Sequence, residues 1–118
     1  MIKTFRIFGA GEWGLAVANH LICLGNRVEV FLRDHNKVNE YNESLFCKRL
    51  NLSFNKNIVF RNLGELNHLI NNGDNFNIIA SSSSGFTDII DTYSVYFKSC
   101  QSITWLTKGL DHSKGLLF

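Results

Sequence analysis

The sequence predicts a doubly wound α/β fold, a parallel sheet of five strands in the order 3-2-1-4-5 with helices on both faces. Three observations lead there. An apolar stretch from Lys3 to Phe8 runs into Gly9-Ala10-Gly11-Glu12-Trp13-Gly14 and then into a helical pattern ending near Leu24. Further short apolar runs follow at Arg27 to Leu32, Ile58 to Phe60, Phe76 to Ala80 and Ser102 to Leu106. Most are separated by segments long enough to cross back over a sheet, which parallel pairing requires. Finally, 118 residues at 45% hydrophobic content are enough for one core, so residues 1–118 are expected to form a single domain.

The first segment organises the rest. Gly9, Gly11 and Gly14 match the G-x-G-x-x-G fingerprint of dinucleotide sites. The first glycine permits a tight turn, the second lets a pyrophosphate approach the backbone, and the third lets the helix pack closely on the strand. The helix behind them points free N–H groups and its positive dipole end at the phosphates. A purely structural glycine turn is the alternative, and the strand before the turn and helix after it argue for nucleotide binding. Trp13, Val17, His20/Leu21 and Leu24 are spaced as one buried helix face, with Gly25 placed to cap the end.

The second strand ends at Leu32, where an NAD-selective site usually carries a carboxylate for the ribose 2′-hydroxyl. Here Arg33 follows instead, so the site is expected to accept NADP at least as well as NAD. A surface pair with Asp34 is the competing reading of Arg33. A short helix is expected from Lys37 to Leu45, then the third strand. Asn62 and Glu65 form a capping box for a helix through Ile70 that ends near Asn72-Gly73. The fourth strand runs into Ser81-Ser82-Ser83-Ser84-Gly85 and a helix from Phe86 to Phe97. Between strand and helix, Ser81 and Ser83 sit in a second phosphate- or ribose-facing turn, although a flexible loop would read the same way. Lys108 follows the fifth strand beside Gly109. There an ammonium could face substrate and cofactor, or reach into solvent.

Other chemistry is excluded or unsupported. The formal charge of +2 is too small to argue for nucleic acid or an anionic membrane. No apolar run suits a membrane span or a signal peptide, so a cytoplasmic location is expected. Three cysteines without a C-x-x-C pair and four scattered histidines suggest neither a disulfide framework nor a metal site. Cys23 reads as a small core residue.

Three stretches together resemble the N-terminal domain of bacterial NAD(P)-dependent sn-glycerol-3-phosphate dehydrogenases: Gly9-Ala10-Gly11-Glu12-Trp13-Gly14, Phe31-Leu32-Arg33-Asp34 with Asn39-Glu40, and Thr104-Trp105-Leu106-Thr107-Lys108-Gly109-Leu110-Asp111. The resemblance spans essentially the whole chain and implies a Rossmann-type domain. It also implies reversible hydride transfer between NAD(P)H and dihydroxyacetone phosphate, giving sn-glycerol 3-phosphate for glycerophospholipid synthesis. By the same resemblance Glu12, Trp13, Arg33 and Lys108 lie at the cofactor, and Lys108 also reaches the substrate. The chain departs from the family pattern at Glu12, where serine is common, and at Ser81-Ser82-Ser83 and Thr87, where Val-Pro-Ser and a later arginine are usual. A Leu-Pro-Gly segment is not recognisable within residues 44–56. The family continues into a helical substrate domain carrying the general acid/base lysine. The 118 residues alone are therefore expected to be an incomplete, inactive cofactor domain, with a homodimer left open for the full enzyme. Two alternatives stand beside this reading: a dinucleotide-binding module without catalysis, and the cofactor domain of a related dehydrogenase.

Overall fold

The computed structural model describes residues 3–9, 12–67, 75–80, 83–98, 103–105, 110–111 and 116–117. Strand β1 (Thr4–Phe8) leads into helix α1 (Glu12–Cys23), β2 (Arg27–Leu32) and α2 (His35–Ser44). A small hairpin of β3 (Phe46–Cys47) and β4 (Leu52–Ser53) precedes β5 (Ile58–Asn62) and a 3₁₀ turn at Leu63–Asn67. Then come β6 (Asn75–Ile79), α3 (Ser83–Thr92), α4 (Ser94–Lys98), β7 (Ile103–Trp105) and a last pair, β8 (Leu110–Asp111) and β9 (Leu116–Leu117). The five-stranded sheet has the order β5-β2-β1-β6-β7, and its neighbours all pair in parallel. The inserted β3–β4 hairpin shifts the numbering along the chain. Counted among themselves, the five sheet strands run 3-2-1-4-5.

Alternation along the strands divides the core in two, because successive side chains point to opposite faces. On one face Ile7, Val28, Val30, Leu32, Ile58 and Phe60 meet Leu15, Ala18 and Ile22 of α1 and Val38 and Tyr41 of α2. On the other, Phe8, Phe31 and Ile79 meet Leu63, Leu66, Ile89, Tyr96 and Phe97. Phe8 stacks on Phe31 with ring centroids 5.0 Å apart and takes Phe97 edge-on at 5.1 Å, arrangements the aromatic quadrupole favours.

Three details differ from the pattern expected of the helices. The buried stripe of α1 is Leu15, Ala18 and Ile22, with Val17 and Leu21 at its margin. Leu24 is 65% exposed, and Cys23 is exposed rather than in the core. The chain leaves the helix before Leu24: Gly25 N–H bonds Ile22 O at 2.9 Å and Asn26 N–H bonds Leu21 O at 3.2 Å, a double C-terminal cap. The Asn62 cap forms as expected. Its N–H donates to Glu65 at 2.9 Å and its Oδ1 accepts from Gly64 N–H at 2.9 Å. The turn it opens is 3₁₀ through Asn67, and the expected continuation to Ile70 and Asn72-Gly73 lies outside the described residues. The segment expected as one helix from Phe86 to Phe97 instead begins at Ser83, so that Ser83, Ser84 and Gly85, expected in a turn, form the first turn of α3. It changes at Tyr93 from α3 to α4.

Edge strand β5 has a substitute partner. Asn42 of α2 donates from Nδ2 to Phe60 O at 2.8 Å and accepts from Phe60 N–H at 2.9 Å. Its carboxamide thus occupies a backbone pair that an edge strand would leave open.

α1 lies unusually close to the sheet. A Cβ built on Gly14 would sit 2.8 Å from Gly9 O and 3.1 Å from the Ala80 Cβ, with Gly9 itself at φ +107°. A backbone oxygen cannot swing aside as a side chain can. Gly14→Ala is therefore expected to lower stability by about 1–2 kcal/mol in urea titration, with overpacking outweighing the intrinsic helix gain of alanine. A more stable variant would show that the contact is soft.

Burial also holds a proton. The Tyr41 phenol is pushed up from 10.0 to about 12, first because its anion would be desolvated and then through its contact with Cys47. Its hydroxyl lies 3.7 Å from the Cys47 Sγ. The folded chain keeps this proton where the unfolded chain has lost it. The resulting stability is whole below about pH 10 and is lost as pH rises through about 12. Relative to Tyr41→Phe, which keeps the ring contacts, the parent chain should lose about 1–3 kcal/mol across that interval in urea titrations at fixed pH. A constant difference would mean that the phenol titrates normally.

Candidate functional site

In a parallel sheet covered on both faces, the crevice for a ligand opens at the carboxyl ends of the strands. Three chain segments reach that edge side by side. β1 hands over to Gly9, whose N–H bonds Phe31 O at 3.0 Å. β2 hands over to Arg33 and Asp34, and β6 to Ala80, whose N–H bonds Phe8 O at 2.9 Å. α1 and α3 begin at the same edge, because each follows its strand after only a few residues.

The structure brings Gly9 and Gly14 into contact, and the closeness of Gly14 to Gly9 O and to Ala80 seats the first turn of α1 against the exit of the central strands. Glu12 and Trp13 open α1 and Ser83 opens α3, so all of these backbones stand at the carboxyl edge. Gly11, Ser81 and Lys108 lie outside the described residues. β7, the strand expected to deliver Lys108 to this edge, is present through Trp105 beside β6.

Arg33 is held from two directions. Asn62 Nδ2 donates to the Arg33 carbonyl at 3.0 Å, tying the loop after β2 to the end of the neighbouring β5. The guanidinium Nη2 donates to Asp88 Oδ2 on α3, with both side chains more than half exposed. The pairing with Asp34 considered from the sequence does not occur. The Asp34 carboxylate instead caps α2, accepting from Asn36 N–H at 2.9 Å and Lys37 N–H at 3.4 Å. Capping is the commoner use of an aspartate placed just ahead of a helix.

Asn62 and Asp88 are the two residues of this edge that sequence reasoning missed. Asn62 was legible as a helix cap, and nothing in the pattern says that its amide also reaches a loop 29 positions away. Asp88 lies 55 positions from Arg33 and reads as an ordinary polar position in a helix. Among the described residues no group of three or more His, Cys, Asp or Glu could hold a metal ion, and no helix is long and apolar enough to cross a membrane.

Comparison with known proteins bears on the same region. The family model for the N-terminus of NAD-dependent glycerol-3-phosphate dehydrogenase matches residues 4–118. The chain is 35% identical over 112 residues to a glycerol-3-phosphate dehydrogenase (NAD(P)+) of Legionella pneumophila strain Lens, covering 92% of this chain and 32% of that protein. Identity to the enzyme of the same name from strain Philadelphia 1 is 34%, with the same coverage of 92% and 32%. The chain thus spans about a third of the length of these relatives. A crystal structure of glycerol-3-phosphate dehydrogenase from Coxiella burnetii superposes with a TM-score of 0.79 at 24% identity, covering 98% of this chain and 35% of that one, which extends the likeness to the fold. With its glycine turn, central-strand exit and parallel sheet on the page, and with the family match running through residues 4–118, the chain belongs to the family of NAD-dependent glycerol-3-phosphate dehydrogenase N-termini.

Proposed function

We propose that this chain is the dinucleotide-binding part of a cytoplasmic glycerol-3-phosphate dehydrogenase, holding NADP or NAD for the reversible reduction of dihydroxyacetone phosphate to sn-glycerol 3-phosphate. The observation that carries the reading is the approach of Gly14 to the Gly9 carbonyl, which starts α1 directly on the exit of β1. A helix begun there presents unpaired N–H groups to a pyrophosphate, and the aligned peptide dipoles favour its negative charge. In this reading Gly9, Gly11, Glu12, Trp13 and Gly14 form the pyrophosphate turn, and it is faced by Ser81, which follows β6, and by Ser83 at the start of α3.

A bound nicotinamide supplies the hydride exchanged with the substrate carbonyl carbon. Lys108 is assigned to the substrate and cofactor, where its ammonium would stabilise the negative charge developing on the carbonyl oxygen. Proton transfer is assigned to a lysine of the helical domain that the family carries, so residues 1–118 bind without turnover. Arg33 is assigned to the adenosine ribose. Leu32 offers no carboxylate to repel a 2′-phosphate, and the Arg33 backbone is already held by Asn62.

Two substitutions test these assignments. Arg33→Asp should weaken NADPH binding by about 1.5–3 kcal/mol in calorimetry, through loss of a charge-assisted hydrogen bond and new repulsion, while NADH binding stays nearly unchanged. Equal losses for both cofactors would give Arg33 a structural role. In the complete enzyme, Lys108→Ala should lower kcat/KM by roughly 100-fold with little change in Tm, the loss typical of removing one donor to a developing charge. Near-normal turnover would remove Lys108 from the reaction.

A further inference from the structure

The contact between Arg33 and Asp88 has consequences for cofactor choice. Arg33, assigned above to the adenosine ribose, projects from the loop after β2, and its guanidinium engages the Asp88 carboxylate on α3. Asp34, the adjacent carboxylate, is already committed to two backbone N–H groups of α2. Asn62 fixes the Arg33 main chain through its carbonyl, so the side chain can change partner without moving the loop. With Arg33 and Asp88 side chains 61% and 57% exposed, their pair is solvent-screened and shifts an equilibrium by only a few-fold. It is a contact that a stronger anion can replace.

We infer that Asp88 sets the preference between NADP and NAD by competing with the 2′-phosphate for the Arg33 guanidinium. The inference rests on the dinucleotide-binding reading above. A 2′-phosphate carries nearly two negative charges and three acceptor oxygens, so it displaces the single carboxylate and takes the guanidinium. The displaced Asp88 carboxylate remains nearby and repels the phosphate, which offsets part of the gain. A 2′-hydroxyl is neutral and leaves the pair in place. Asp88 therefore lowers the affinity for NADPH and leaves that for NADH alone, acting on specificity through Arg33 without any need to touch the cofactor.

The test is calorimetric titration of the chain and its variants with NADPH, NADH and adenosine 2′,5′-bisphosphate at low and at raised salt. Asp88→Asn should tighten NADPH and the bisphosphate about two- to fivefold at low salt, with NADH unchanged. The gain should shrink as salt screens the charges. Asp88→Glu, which keeps the charge, should hold the NADPH-to-NADH ratio within about twofold of the parent. In Arg33→Ala the Asp88→Asn effect should largely vanish, because the competition has lost its object. An unchanged ratio in Asp88→Asn, or equal shifts for NADPH and NADH, overturns the role of Asp88 while leaving dinucleotide binding intact. Failure of the parent chain to bind either cofactor overturns both this inference and the reading beneath it.

Discussion

The arrangement of the carboxyl edge depends on one close approach. Gly14 stands where any side chain would meet the Gly9 carbonyl at 2.8 Å, and the next contact, at 3.1 Å, is the Ala80 Cβ at the end of β6. The helix can therefore begin immediately beyond the central strand, with its first turn beside the ends of both β1 and β6. A larger residue would push α1 outward, and its free N–H groups would no longer converge on the crevice. Leu15, Ala18 and Ile22 then fall over Ile7, Val28 and Val30. One short contact thus fixes both the helix–sheet spacing and the position of the helix N-terminus at the carboxyl edge.

The opposite face of the sheet holds a buried polar group that constrains strand register. Arg6, Glu29 and Asn77 stand side by side on β1, β2 and β6. Arg6 is 7% exposed and donates to the Tyr96 hydroxyl at 3.0 Å, which donates in turn to Asn77 Oδ1 at 2.7 Å. Glu29 accepts from Arg61 Nε at 2.9 Å and lies 3.7 Å from Arg6 Nε. A one-residue slip of β2 would turn Glu29 toward α1 and leave the Arg6 charge buried without its counter-ion, a loss of several kcal/mol in general. Desolvation offsets much of such a group's attraction, so removing one partner costs more than the intact group contributes.

Local signals carried much of the fold because their physics is local. The turn at Gly9, the cap at Asn62 and the alternation of Val28, Val30 and Leu32 each depend on residues a few positions apart. The helix face of α1 was displaced from the expected one, and Leu24 and Cys23 face solvent, because where a stripe points depends on the angle at which the helix meets the sheet. Periodicity gives the spacing of a stripe and leaves its phase ambiguous when apolar residues nearly encircle the helix, as from Leu15 to Leu24.

By itself the sequence determined the class of the fold, the strands of the parallel sheet, and the glycine fingerprint from Gly9 to Gly14 between the first strand and helix. These follow from short-range periodicity and from glycines whose need for space is intrinsic. Only the tertiary structure decided which partners the polar residues take. Asp34 caps α2 while Asp88 takes Arg33, Asn42 completes the edge of β5, and Asn62 joins its own cap to the loop after β2. An unpaired amide or carboxylate can satisfy itself with whatever donor or acceptor the fold brings within about 3 Å. That choice is made by chain segments up to 55 positions apart in sequence and adjacent in space.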